Sequence, residues 1–195
     1  MKIGKILKYT VIAAILALLV FLSIRIFMSS DRSVLDSVYP TKEAQAAYNA
    51  KGDDAFVTYK LPYDMSEDGY YVAYSPVYNA SEKEFQITIR YNDSLSENYL
   101  EGRDPKDYYF VLSGREGNLV SKAKVLDEKE RYFYNHQRLS FKDVEVGNDT
   151  ELYLFLCCDE CSYPAKHTEG IIVIHPSLSE KPYKLSSAEK KLLND

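Results

Sequence analysis

The stretch FQITIRY, residues 85–91, alternates without interruption. Phe85, Ile87, Ile89 and Tyr91 fall on one side, and Gln86, Thr88 and Arg90 on the other. A period of two marks a β-strand with one face on an apolar core, because successive side chains leave a strand on opposite faces. Outward from this stretch the same period recurs. Residues 55–61 and 70–75 precede it as candidate strands, the second stopped by Pro76. Residues 108–113 and 119–126 follow as a hairpin about the turn signal GREGN, 114–118. Residues 131–135 and 139–144 read as two strands or one bulged strand. ELYLFLC, 151–157, and GIIVIH, 170–175, are apolar on both faces and are expected near the centre of a sheet. Short strands at this spacing, with turn signals between them and no long amphipathic helix, predict an all-β domain over residues 55–180, an antiparallel β-sandwich.

The pattern resembles a generic immunoglobulin-like β-sandwich. The Cys…Trp…Cys hallmark of antibody domains is absent, since the chain has no Trp. A domain of this size buries about two thirds of its unfolded surface, so it needs no disulfide to be stable.

The N-terminus reads differently. Lys2, Lys5 and Lys8 precede an uncharged run from Tyr9 to Ile24; Arg25 interrupts it, and Ile26, Phe27 and Met28 follow. About 20 mostly apolar residues are needed to cross the hydrocarbon core, and residues 9–28 supply them if Arg25 snorkels to the headgroups. A cleaved signal peptide is the competing reading, but the residues after the run lack the small-x-small site it needs. The lysines all precede the helix, so the positive-inside rule places residues 1–8 in the cytoplasm and the rest outside. Residues 29–54 are expected as a partly helical juxtamembrane stalk, with two short helices split by Pro40 and Thr41 as an N-cap. Residues 181–195 are expected as a tail with a short helix, because Ser186 and Glu189 have capping-box spacing.

The net charge of −5 gives no electrostatic case for nucleic acid, which calls for a basic stripe. The first 28 residues hold four positive charges and no acid, so the exported part is more acidic still and points to neutral or basic partners. The chain has no nucleophile elbow, no His-Glu-x-x-His and no glycine-rich phosphate loop. No catalytic residue and no cofactor is expected.

Three cysteines crowd LFLCCDECSYP, 154–164. Cys158 and Cys161 have the spacing of a small local disulfide, favoured outside a membrane where thiols are oxidised. Buried reduced cysteines acting as small hydrophobes are the bland alternative. A metal set would draw on Cys157, Cys161 and His167. The spacing resembles the Cys-x-Glu-x-Cys stretch of binuclear copper sites, but residues 162–166 hold neither the His nor the Met those sites need. Two acids between the thiols disfavour redox exchange. Continuing the strand puts Cys158 with the leucines and Cys157 on the opposite face beside Phe155.

Tyrosine is the other abundant type, with 18 copies. Tyr70, Tyr71, Tyr74, Tyr108 and Tyr109 are candidates for a protein- or glycan-binding face, against the bland reading of sandwich filler. The expectation is therefore a single-pass, membrane-anchored, extracytoplasmic binding module of the cell envelope. The alternatives are a sugar or peptide sensor subunit that needs a membrane partner, and a metal or redox carrier using the cysteines.

Overall fold

The computed structural model describes residues 2–29, 34–59, 71–91, 108–114, 119–131, 134–146, 151–158, 172–174 and 180–195. The chain divides into two compact units, Met1–Ser33 and Val34–Asp195.

The first unit is helix α1 (Lys2–Ser29). Its described side chains, residues 8–24, are exposed throughout, Leu16 at 57% and Phe21 at 59% among them. The Ser23 hydroxyl donates to the Leu19 carbonyl at 2.8 Å, so the helix satisfies its own polar group. Among the described residues no helix is long and apolar enough to cross a membrane. The crossing expected over 9–28 also draws on residues 25–28, whose side chains lie outside those described.

The second unit is mostly β. Its strands are β1 (Phe56–Thr58), β2 (Val72–Asn79), β3 (Glu84–Tyr91), β4 (Tyr108–Gly114), β5 (Leu119–Lys122), β6 (Lys124–Arg131), β7 (Tyr134–Phe141), β8 (Leu152–Cys158), β9 (Ile172–Ile174) and β10 (Lys181–Pro182). They form two antiparallel sheets. The first has the order β10-β1-β2-β3-β7-β6 and the second β5-β4-β8-β9. Phe85, Ile87 and Ile89 of β3, with Leu139 and Phe141 of β7, share one core with Phe110 and Leu112 of β4 and Leu152, Leu154 and Leu156 of β8. Two sheets closed on a common core are consistent with a β-sandwich, and each such side chain contributes about 1.5–3 kcal/mol by leaving water.

Three local features depart from the sequence reading. Pro76 does not stop β2. The strand passes it through a bulge between Tyr74 and Val77, with Ser75 at φ +50°, which takes the missing proline N–H out of the ladder. Residues 119–126 are not one hairpin arm. β5 pairs with β4, then the chain changes sheets and β6 pairs with β7. Ala123 marks the corner, its N–H donating to the Phe110 carbonyl at 2.8 Å. β8 lies inside its sheet as expected, but β9 pairs with β8 at three positions only and ends the order among the described residues.

Residues 34–54, expected as a stalk, belong to the same compact unit as the sheets. Helix α2 (Lys42–Lys51) begins where Thr41 was expected to cap it, and the Thr41 Oγ1 accepts from the Ala44 N–H at 3.0 Å. The helix expected before Pro40 is a run of turns and bends at 34–38. Helix α3 (Ser187–Asn194) carries the Ser186–Glu189 capping box. Val38, Ala44 and Ala47 join Phe56, Val77, Leu185 and Leu193 in a second core on the outer face of the six-stranded sheet.

Candidate binding end and the cysteine segment

One end of the sandwich gathers several polar aromatic and cationic side chains. β3 finishes at Tyr91 opposite Asn135, and β6 turns into β7 with Arg131 opposite Tyr134. Tyr71 ties the two sheets together there, its ring 5.9 Å from Tyr91 and 6.1 Å, edge-on, from Phe110.

On the outer face of the six-stranded sheet at this end, cross-strand register sets His136 beside both Arg90 and Lys129. The Tyr74 hydroxyl shares a 2.8 Å hydrogen bond with Nδ1 of His136, and the two rings meet edge-on. His136 is only 2% exposed, so its imidazole positions the tyrosine and cannot itself reach a ligand. The Arg90 guanidinium lies 4.6 Å from the centroid of Tyr134, a cation–π contact. Strand alternation sorts the charges of β6. Asp127, Lys129 and Arg131 share register with the outer-face residues Arg138, His136 and Tyr134, whereas Glu128 and Glu130 pair with Gln137 and Asn135. The Gln137 amide donates to Glu128 at 2.8 Å on that other side. The outer face of this corner thus carries three cations, Arg90, Lys129 and Arg131, with Tyr74 and Tyr134. The corner can stack and hydrogen-bond a ligand.

The expected tyrosine face divides. Tyr74 stands on this corner, half-buried. Tyr71 faces the inter-sheet core at 5% exposure and offers no surface, because the bulge at Ser75 follows it and leaves it in phase with Ala73. Tyr109 lies on the outer face of the other sheet, with the Lys122 ammonium 3.5 Å from its ring centroid. The Tyr108 side chain and Tyr70 lie outside the described residues. No single face unites them.

Cys157 is 2% exposed and pairs in register with Tyr109. It lies on the face opposite Leu154 and Leu156, beside Phe155, whose ring stacks on Tyr153 at 6.4 Å. The Cys158 side chain, Cys161 and His167 lie outside the described residues, so the expected disulfide and metal sets fall there too. Among the described residues no group of three His, Cys, Asp or Glu is arranged to hold a metal. Asn79 heads an Asn-Ala-Ser triplet, the spacing of a glycosylation acceptor, but it is 2% exposed and its amide donates to the Glu43 carbonyl at 3.2 Å.

Arg138 and Glu84 carry no signal of their role in the sequence, and Glu189 shows there only as the capping-box partner of Ser186. Arg138 is wholly buried and donates to the Ser75 carbonyl at 2.7 Å, to Thr88 Oγ1 at 2.9 Å and to the Ser37 carbonyl. Burial pushes its guanidinium pKa down to about 10, which leaves it charged at neutral pH. Glu189 is also buried, and it accepts from the N–H groups of Ser37 and Val38 and from the Tyr183 hydroxyl. Glu84 accepts from Thr41 and Ser140 at 2.7 and 2.6 Å. The only signal available was that β7 places His136, Arg138 and Ser140 on one face, a pattern that reads as a solvated side.

No family model, no curated protein and no solved structure matches the chain.

Proposed function

We propose that the chain is a single-pass, membrane-anchored, extracytoplasmic protein whose immunoglobulin-like sandwich acts by binding, without catalysis. The observation that carries the anchor is α1, where every described side chain from residue 8 to residue 24 is exposed and most are large and apolar. A helix apolar all round is at rest in lipid rather than in water. Together with residues 25–28 of the sequence it reaches the length of a crossing, and the preceding lysines put the β unit outside.

The immunoglobulin-like reading rests on strand order. β2-β3-β7-β6 corresponds to the A-B-E-D sheet of such domains and β5-β4-β8-β9 to a C′-C-F-G sheet. In that correspondence the β6–β7 connection is the D–E connection, at the same end as the B–C and F–G connections that variable domains use for recognition. Ile87 and Leu154 fill the core on the strands that elsewhere carry the disulfide. The corner formed by Tyr74, Arg90, Lys129, Arg131 and Tyr134 then serves as the binding end, for a protein or glycan partner outside the membrane.

Chemical cross-linking of the full chain in intact cells, compared with Arg90→Glu and Tyr134→Ser, tests the binding end. Loss of a cross-linked partner in both variants, with an unchanged circular dichroism spectrum, is the expected result. Equal cross-linking in all three would contradict it. Stoichiometric zinc or copper on the purified chain would instead favour the carrier reading.

A further inference from the structure

Residues 34–39 form neither helix nor strand, yet Val34, Leu35 and Val38 are buried. Side chains hold this segment from two sides. On one, the N–H groups of Ser37 and Val38 both donate to Oε1 of Glu189 at 3.0 Å, and Glu189 is fixed on α3 by its Ser186 capping box. On the other, the Ser37 carbonyl accepts from Arg138 of β7, and the Tyr39 N–H donates to Gln86 of β3 at 3.0 Å. Two buried opposite charges therefore grip the same residue, Ser37, from its amide side and its carbonyl side. None of these bonds belongs to a sheet ladder. The Arg138 Nε has no hydrogen-bond partner among the described residues, so the closed arrangement leaves one buried donor unsatisfied.

We propose that residues 34–39 are a strap, closed by Glu189 and Arg138, that opens as a unit while both sheets stay folded. Opening such a segment breaks no ladder hydrogen bond, so it is a local event of lower free energy than unfolding the sheets, although Val34, Leu35 and Val38 lose their cover with it. Opening uncovers Gln86, Thr88 and Arg138 on the outer face and adds a buried cation to the row that Arg90 and Lys129 begin. The inference depends neither on the membrane anchor nor on the binding end.

Amide hydrogen exchange on the full chain, with and without low denaturant, tests it. In the wild type the Ser37 and Val38 amides should exchange at least about tenfold faster than those of Ile87 and Leu139, and with a weaker dependence on denaturant. Glu189→Gln, which weakens a charge-assisted bond to a neutral one, should speed the two strap amides by a further factor of about ten and leave the sheet amides unchanged. Exchange of strap and sheet amides at one common, denaturant-dependent rate in the wild type would overturn the proposal whether or not the variant folds. So would strap amides indifferent to Glu189→Gln.

Discussion

At the scale of single residues, buried polar groups define this molecule as much as its apolar core does. Tyr39, Tyr59, Tyr78 and Tyr183 all have hydroxyl pKa values raised, in each case first by burial. That of Tyr183 is pushed up to about 12. In the unfolded chain these phenols ionise near the ordinary value of 10. The folded state therefore holds more protons above that pH, and the stability they contribute is present below pH 10 and lost as pH rises toward 12. Arg138 works in the opposite sense, but it is one group against four. Alkaline titration followed by tyrosinate absorbance and circular dichroism should show the last tyrosines ionising together with loss of the β signal. All 18 titrating near pH 10 with the β signal retained would contradict this.

At the scale of elements, strands with one apolar face were legible, and so were the helix caps. FQITIRY fell on β3 because Phe85, Ile87 and Ile89 need the inter-sheet core. Thr41 and Ser186 cap their helices because the side-chain oxygens reach backbone N–H groups that the helix leaves unpaired. What sequence could not disclose was that the polar face of β3 is buried as well: Gln86 and Thr88 are 3% and 0% exposed. Their partners are Tyr39 and Arg138, distant in the chain, and a polar row looks the same whether water or a buried network satisfies it. The corner at Ala123 was silent for a related reason, since no Gly or Pro marks it. The β2 bulge carries a cost that can be measured. Ser75 holds φ +50°, a conformation a side chain resists by about 1–2 kcal/mol. Ser75→Gly should therefore raise stability by up to about 1 kcal/mol in urea unfolding, after the added flexibility of glycine is offset. A loss of more than that amount would show that the bulge is not strained.

At the scale of the whole molecule, an apolar helix precedes an acidic β unit in the chain. Val38, Ala44 and Ala47 pack on the outer face of one sheet, with Leu193 of the C-terminal helix in the same cluster. Residues 34–54 of the expected stalk therefore belong to the same compact unit as the sheets. The candidate binding corner was legible only in its tyrosine content. The bulge in β2 and the change of sheets after β5 decide which rings and cations meet, and both are set by pairing between strands far apart in sequence. The central claim is that α1 anchors the chain and the β unit stands outside. It is tested most directly by alkaline carbonate extraction of cells carrying a C-terminally tagged chain, combined with membrane-impermeant labelling of the tag in intact cells. The account predicts an uncleaved chain in the membrane pellet with its tag labelled from outside. A chain released by carbonate, or a tag reached only after the cells are permeabilised, would contradict it.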